Sequence, residues 1–187
     1  MKRMTHTMRL AAVASATMLV LAACGSEDSS SDTDADAGDD TPTTSNIDLK
    51  IGTALPQTGN LAFLGPPEEA GVGYAASLIE EADTGLNLEI VYGDSGDTDN
   101  KAYESEIPRL LGEDVSAIIG AASSGTSLQF IDQVVDAGVI QFSPANTSDA
   151  FTSYEDDGLY WRTAPSDVLQ GDVLGNLIAA DGAATLG

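Results

Sequence analysis

Basic residues, histidine and cysteine are all scarce in this chain of 187 residues. Seven Lys and Arg residues stand against 30 Asp and Glu residues, so the formal net charge is −23 at pH 7. Nucleic-acid binding relies mainly on Lys and Arg that neutralise phosphates, so this balance argues against a nucleic-acid partner. The single cysteine, Cys24, and the single histidine, His6, cannot supply an intramolecular disulfide or a cysteine-based zinc site.

The first 23 residues have the pattern of a secretory signal peptide. Basic residues near the start are followed by an apolar run over 10–21, and two alanines precede Cys24. The run is shorter than the roughly 20 residues that span a bilayer. The sequence Leu-Ala-Ala-Cys over 21–24 resembles the bacterial lipobox, which implies that Cys24 becomes the lipidated first residue of the mature protein. An ordinary signal peptide with a chance cysteine is the alternative.

A polar, acidic segment follows this cysteine. Residues 25–46 are mainly Ser, Asp, Thr, Gly and Ala, and they include no aromatic or large aliphatic residue. Such a composition cannot bury enough apolar surface to offset the entropy of ordering, and its acidic residues repel one another. We therefore predict that 24–46 is a lipidated, disordered tether that holds the folded part outside the membrane. A solubilising leader with no positional role fits the same composition.

From residue 48 onward, short apolar stretches alternate with helical patterns. This βαβ order predicts an α/β fold with a parallel sheet and helices on both faces. In such sheets, ligands bind beyond the carboxyl ends of the strands, where the connecting loops meet. The predicted strands are 49–55, 86–92, 115–120, 139–142 and 159–163, and the predicted helices are 67–82, 100–111, 127–137 and 167–180.

The loop after the third predicted strand is the best candidate for an anion site. Small hydroxyl residues run into a helix N-terminus over 121–127, where free backbone N–H groups and the helix dipole suit a carboxylate. Ser124 is the candidate ligand, and the alternative is an N-cap that serves only the helix. The loop over 143–148 brings another hydroxyl to the neighbouring strand end. The loop after the first strand has an apolar tip, Phe63 and Leu64, that can wall a pocket.

The sequence argues against an enzyme or a metal site. A Ser-His-Asp hydrolase needs a histidine, and none remains after the signal peptide; the Gly-x-Ser-x-Gly motif is also absent. The acidic residues Asp94, Asp97 and Asp99 suggest a calcium loop, but the glycine and glutamate that such a loop needs are missing. We interpret them as a solvated acidic turn. No cofactor or metal is expected.

Large polar and aromatic side chains lie near the fifth predicted strand. Tyr160 and Trp161 can be ligand platforms, although aromatic residues near a strand more often pack in the core. Arg162 is expected to pair with a local acid, Asp157 or Asp167, rather than with a ligand.

Four segments in the order of the chain resemble the substrate-binding lipoproteins of branched-chain amino acid ABC transporters. The resemblance covers about 49–180 and implies a type I periplasmic binding protein fold, the Venus flytrap. The segments are Pro56-x-Thr58-Gly59-x-x-Ala62-x-x-Gly65, the loop over 120–127, Phe142-Ser143-Pro144-Ala145-Asn146-Thr147, and Tyr160-Trp161-Arg162-Thr163 with Pro165-Ser166-Asp167 and Gln170-Gly171.

This resemblance also implies roles for individual residues. Ser124 corresponds to a serine that binds the substrate α-carboxylate through its hydroxyl and amide groups. Thr147 corresponds to a second such contact, and the Ala145 carbonyl would receive the α-ammonium group. Leu64 stands where related binders often place an aromatic ring over the ligand side chain, and its neighbour Phe63 can substitute for that ring.

The resemblance further implies a domain organisation and a function. Residues 47–164 would form an α/β ligand-binding lobe, and 165–187 would form a hinge and the start of an incomplete second lobe. The protein would be lipid-anchored on the extracytoplasmic face of the cell membrane. It would close around a small-molecule ligand, an amino acid or related carboxylate, and deliver it to an ABC permease.

Two alternatives to amino-acid import stay open. The first is an extracytoplasmic sensor, or a binder of urea, short amides or aromatic acids, on the same fold. The second is an adhesive surface lipoprotein that binds no small molecule.

Overall fold

The structure, a computed structural model, describes residues 46–182 and Thr185. The predicted signal peptide over 1–23, Cys24 and the predicted tether up to residue 45 lie outside the described residues. Within the described part, no helix combines the length and the apolar character needed to cross a membrane.

Five strands and four α-helices alternate along the described chain. All strand pairings are parallel, and the strands lie in the order β2-β1-β3-β4-β5. This confirms the predicted α/β fold with a parallel sheet. The strands are β1 (Ile47–Ala54), β2 (Leu86–Val91), β3 (Ala117–Gly120), β4 (Ile140–Ser143) and β5 (Tyr160–Arg162). The helices are α1 (Gly65–Glu81), α2 (Tyr103–Gly112), α3 (Ser124–Asp136) and α4 (Asp167–Ala180), with a short 3₁₀ helix at Asp149–Phe151.

The main apolar core lies between the sheet and the helices α2 and α3. Side chains alternate between the two faces of a strand, so Ala54 of β1 and Ile118 of β3 point into this core. The packing holds the central strands in register, and their carboxyl ends therefore present their loops at one edge. The buried core residues are Ala54, Tyr103, Ile107, Leu110, Val115, Ile118, Ala121, Phe130 and Val134.

The opposite face of the sheet is only partly covered by the described residues. Helix α1 packs against β2 on this face. Ile119, Phe142 and Trp161 are neighbours across β3, β4 and β5, and the last two are 37% and 58% exposed. An apolar groove of about 460 Å³ runs between α1 and this region. The helix layer on this face therefore leaves the β3 to β5 half of the sheet bare.

The observed helices match the predicted ones most closely at the end of the chain. Helix α4 has the predicted bounds, whereas α1 begins at Gly65 rather than at 67. Helix α2 begins at Tyr103 rather than at 100. Helix α3 begins at Ser124 rather than at 127, because the Ser123 hydroxyl caps it there.

Gly65 marks a close approach between the start of α1 and the preceding loop. The residue is buried, and a Cβ atom added to it would overlap the carbonyl group of Pro56. We expect Gly65→Ala to lower the free energy of unfolding by about 2 kcal/mol, because the added methyl group overpacks the site. Urea denaturation followed by circular dichroism measures this change.

Gly71→Ala is the matched control for this prediction. Gly71 lies on the same helix, and a Cβ atom there would meet nothing within 4 Å. Alanine at that position should raise the free energy of unfolding by about 0.5–1 kcal/mol, because glycine is unfavourable inside a helix. Equal effects of the two substitutions would contradict the close approach.

Candidate functional site

Loops from neighbouring strands meet at the carboxyl edge of the sheet. We name them by the strand they follow: the first loop (55–64), the second loop (92–102), the third loop (121–123) and the fourth loop (144–148). Because β3 lies between β1 and β4 and all three are parallel, the first and fourth loops flank the third. This is the edge at which open α/β sheets bind ligands.

Adjacent serines have different roles at the start of α3. Ser123 is the N-cap: its backbone is extended, and its hydroxyl accepts a hydrogen bond from the Thr126 amide at 3.4 Å. Ser124 is the first residue of the helix, so the alternative role of Ser124 as the N-cap is wrong. In the first turn, the amides of Ser124 and Gly125 have no acceptor inside the helix.

The Ser124 hydroxyl joins the start of α3 to the fourth loop. Its oxygen accepts hydrogen bonds from the backbone amides of Thr147 and Ser148, at 3.1 and 3.2 Å. A serine hydroxyl has two acceptor positions and one donor hydrogen. Since both acceptor positions are used, the O–H group is left to donate. The structure thus brings the predicted site residues Ser124 and Thr147 together.

The fourth loop also presents an unpaired carbonyl group. Within the described residues, the Ala145 carbonyl is the one in this loop that receives no hydrogen bond. The N–H group of the same peptide, that of Asn146, donates to the Ser143 hydroxyl at 3.0 Å, so the peptide is held while its oxygen is free. The other carbonyls of the loop accept from Thr163 (to Pro144, 2.9 Å), Arg162 (to Asn146, 3.5 Å, and Ser148, 2.7 Å) and Asp167 (to Thr147, 2.8 Å).

The buried side chain of Asn146 connects the fourth loop to the third, a role that the sequence did not predict. Its side chain is fully buried, and its amide group donates to the carbonyls of Ala121 and Ala122 at 3.0 and 2.9 Å. Its side-chain oxygen accepts from the Tyr160 hydroxyl at 2.8 Å. All polar atoms of this side chain are therefore paired. The one sequence feature that points to this role is the position of Asn146, an amide residue in a turn that follows β4 and contains Ser143-Pro144.

Tyr160 and Arg162 support the fourth loop from β5. Tyr160 is buried and stacks on Phe151 at 4.3 Å between ring centroids, and burial raises the pKa of its hydroxyl. Arg162 donates to the Ser148 carbonyl and to the Thr152 hydroxyl, at 2.7 and 3.1 Å. The expected pairing of Arg162 with a local acid is therefore wrong. Backbone carbonyls of the fourth loop and the Thr152 hydroxyl accept its hydrogen bonds instead.

The prediction that the fifth-strand aromatics pack in the core holds for only one of them. Tyr160 is buried, but Trp161 lies on the bare face of the sheet, where its indole N–H donates to the Gly158 carbonyl at 3.0 Å. Neighbouring positions on a strand point to opposite faces, which explains the difference.

Phe63 and Leu64 end the first loop, just before α1. Phe63 is 70% exposed, whereas Leu64 is half-buried and its amide donates to the Leu61 carbonyl at 2.9 Å. They lie outside the hydrogen-bonded cluster of Ser124 and the fourth loop, on the loop beside it. Their position leaves them available as an apolar wall.

The solvated acidic turn that the sequence suggested holds for the exposed Asp99, but not for the half-buried Asp94 or the buried Asp97. Asp97 is 5% exposed, and the backbone amides of Asn100, Asn60 and Asp99 hold the pKa of its carboxyl below the usual value. Burial raises the pKa of Asp94, but hydrogen bonds from the first and second loops outweigh this and lower it overall. Among the described residues, no three His, Cys, Asp or Glu side chains are placed to hold a metal ion.

The fourth loop is also tied to the start of α4. The Asp167 amide donates to the Thr147 carbonyl at 2.8 Å. Ser166 caps α4 by accepting from the Leu169 amide at 3.4 Å. Thr147, the predicted second ligand contact, is therefore hydrogen-bonded to the start of α4, a helix with no buried residue.

The described residues form a parallel α/β lobe, and its carboxyl edge carries hydrogen-bond donors and a free acceptor. This combination defines a class of α/β lobe with a candidate site for a small polar solute. Residues 48–187 match the family described as periplasmic binding protein. The chain belongs to this family, which confirms the resemblance seen in its loop sequences.

Relatives from several bacteria show the same similarity. The chain is 34% identical over 139 residues to Leu/Ile/Val-binding protein homolog 2 of Brucella abortus, covering 73% of this chain and 37% of that protein. It is 31% identical over 136 residues to the leucine-, isoleucine-, valine-, threonine- and alanine-binding protein of Pseudomonas aeruginosa, covering 70% and 35%. The chain therefore spans little more than a third of the length of these relatives.

A solved structure shows the same fold. The branched-chain amino acid transporter substrate-binding protein of Streptococcus pneumoniae, in complex with isoleucine, superposes with a TM-score of 0.63 at 27% identity. The match covers 71% of this chain and 38% of that one.

Proposed function

We propose that this protein is the extracytoplasmic solute-binding component of an ABC importer that captures branched-chain or related amino acids. The two relatives are named for binding leucine, isoleucine and valine, and the similar solved structure holds isoleucine. The bridge between Ser124 and the fourth loop is the observation that carries the proposal, because it leaves the Ser124 O–H group to donate at the loop that carries the unpaired Ala145 carbonyl.

The donor side of the site suits the α-carboxylate of an amino acid. The Ser124 O–H group is left to donate, and the first-turn amides of α3 have no acceptor inside the helix. The positive end of the helix dipole adds a favourable field for an anion. We assign the carboxylate contact to the Ser124 hydroxyl and to the amides of Ser124 and Gly125.

The acceptor side suits the α-ammonium group. An ammonium group has only donors, so it needs oxygen atoms that no other group has taken. The unpaired Ala145 carbonyl supplies such an atom, while the Thr147 hydroxyl, which can donate, is assigned to the carboxylate as its second contact. A zwitterion would then lie across the third and fourth loops, with its side chain directed towards Phe63 and Leu64 of the first loop.

Binding is proposed to end in closure and delivery. Ser124, Ala145 and Thr147 are half-buried, so a second surface has to cover a ligand held there. Hinge closure of a second lobe would provide that surface and would present the closed form to a permease. The proposal includes no catalytic step, because the chain belongs to a family of binding proteins.

The test of the function is a thermal-shift screen of the purified protein against amino acids, urea, short amides and aromatic acids. A ligand that binds only the folded state raises the melting temperature. We expect a selective rise with leucine, isoleucine or valine. A rise only with urea, an amide or an aromatic acid replaces the substrate class, and no rise with any compound contradicts solute capture.

We also propose that the mature protein is anchored to the membrane through a lipid on Cys24. The Leu-Ala-Ala-Cys sequence and the acidic segment after it support this placement. In a bacterial host, Cys24→Ser should abolish incorporation of labelled palmitate and release the protein from the membrane fraction, because two or more acyl chains are needed for a stable anchor. Ser26→Ala is the control and should leave labelling unchanged. Labelling that survives Cys24→Ser contradicts the anchor.

A further inference from the structure

We propose that the acidic pair, Asp94 and Asp97, positions the first loop for ligand binding and so sets the preference for large apolar side chains. The inference rests on the proposed function. It concerns two residues that do not touch the ligand cluster, and that act through the backbone of the loop carrying Phe63 and Leu64.

Asp94 holds the beginning of the first loop. One of its carboxylate oxygens accepts from the backbone amides of Gln57 and Thr58, at 2.8 and 3.2 Å, and from the Gly96 amide at 2.7 Å. The other oxygen accepts from the Thr58 hydroxyl at 2.5 Å. A charged acceptor makes each of these bonds stronger than a neutral one would.

Asp97 holds the middle of the same loop. One oxygen accepts from the Asn60 amide at 2.5 Å, and the other accepts from the amides of Asp99 and Asn100, both at 2.9 Å. The preceding Gly59 has φ +87°, and a Cβ atom there would overlap the Asp97 carboxylate. The loop backbone therefore closes directly onto this side chain.

The first loop has few other hydrogen bonds beyond Leu55, which is bonded through its backbone to Gly93 and Ser95. The Asn100 side chain donates to the Thr58 hydroxyl at 2.8 Å, and the Gln57 side chain donates to Glu69 at 2.7 Å. The backbone bonds near the tip, Ala62 to Gly59 and Leu64 to Leu61, are local turns. The acidic pair reaches it from residues about 36 positions away in the chain. Without these carboxylates the loop amides would turn to water, and the position of its tip would be set by fewer contacts.

The second loop also borders the candidate ligand site. Thr98, between Asp97 and Asp99, lies close enough to α3 that a Cβ atom added to Gly125 would be at van der Waals distance, 3.6 Å, from its methyl group. The second loop therefore neighbours the helix turn that carries Ser124, and its carboxylates hold the loop whose tip would face the ligand side chain.

Binding to Asp97→Asn and Asp94→Asn variants of the purified protein tests the proposal. Each substitution keeps the shape but puts a donor where backbone amides need an acceptor. Calorimetry should show leucine affinity reduced about tenfold, because binding must then order the first loop. Alanine affinity, measured by competition, should fall less than threefold, because its methyl group makes little contact with Phe63 and Leu64. The selectivity for leucine over alanine therefore falls.

Asp99→Asn is the matched control in the same loop. The Asp99 carboxylate accepts only from the side chain of Asn60, at 3.1 Å, and from no backbone amide of the first loop. It should change leucine affinity less than twofold. Hydrogen exchange should be faster at the amides of 57–60 in the first two variants only, with α3 unchanged.

The outcomes separate the two proposals. Faster exchange over 57–60 with unchanged selectivity would show that the acidic pair is purely structural. Unchanged exchange in both variants would overturn the restraint itself. If the unsubstituted protein binds neither amino acid, the proposed function fails, and the positioning role fails with it. If Asp97→Asn does not fold, Asp94→Asn decides, since it acts on different amides.

Discussion

Ser124→Ala is expected to lower the affinity for leucine about 10- to 100-fold, which corresponds to about 1.4–2.8 kcal/mol of binding free energy. The substitution removes the O–H donor assigned to the ligand carboxylate. It also leaves the amides of Thr147 and Ser148 without their acceptor, so the acceptor side of the site loses its support. Isothermal calorimetry with leucine measures the effect.

Ser123→Ala is the control for this prediction. Ser123 is the N-cap of α3, and its hydroxyl bonds only to the Thr126 amide of the helix. Losing the cap should lower the free energy of unfolding by about 1 kcal/mol and change leucine affinity little. If the two substitutions weaken leucine binding equally, the carboxylate contact does not belong to the Ser124 hydroxyl.

Asn146→Ala is expected to lower the free energy of unfolding by about 3–5 kcal/mol, because it leaves two buried groups unpaired and each costs roughly 1–3 kcal/mol. These groups are the Ala122 carbonyl and the Tyr160 hydroxyl, whereas the Ala121 carbonyl keeps its hydrogen bond from the Ser143 hydroxyl at 2.7 Å. The alanine also leaves a cavity beneath both loops of the site. Urea denaturation followed by circular dichroism measures the loss.

Asn87→Ala provides the comparison at the surface. Asn87 is exposed on β2, and its side chain makes one hydrogen bond, to Asp48 at 2.8 Å. Its removal should cost less than about 0.5 kcal/mol. A loss below about 1 kcal/mol for Asn146→Ala would mean that the buried amide is not what joins the third and fourth loops.

The architecture of the lobe could be predicted because its signals are local. Apolar stretches near 86–92 and 115–120 and the helical patterns between them follow from neighbouring residues. Their alternation fixes a parallel sheet and hence the edge at which loops meet. That reasoning placed Ser124 and the fourth loop at adjacent strand ends, where the structure joins them.

The details of the site could not be read in the same way. Ser123 and Ser124 have the same chemistry, and only the turn at which α3 begins decides which one caps it. The role of Asn146 depends on Tyr160, fourteen residues later, and on carbonyls more than twenty residues earlier. Burial and pairing over such separations come from packing, which a single sequence does not encode locally.

Charged residues gave the clearest errors. Arg162 was expected to pair with a nearby acid. Instead, the Ser148 carbonyl and the Thr152 hydroxyl, in the segment between β4 and β5, accept its hydrogen bonds. Asp94 and Asp97 resembled a solvated turn because their partners, the amides of the first loop, lie on a different strand end. The charge of a side chain indicates that it needs hydrogen-bonding or ionic partners, whereas the topology of the fold decides which groups lie close enough to pair with it.

Under the proposed function, the hydrogen bond from the Asp167 amide to the Thr147 carbonyl would link solute occupancy to the placement of α4. A solute that binds the Thr147 loop more tightly in one arrangement of α4 shifts the population towards that arrangement. Thermodynamic linkage is reciprocal, so fixing the start of α4 changes solute affinity by the same factor. Under that linkage, an interaction that fixes α4 would change the affinity for the proposed solute without touching it.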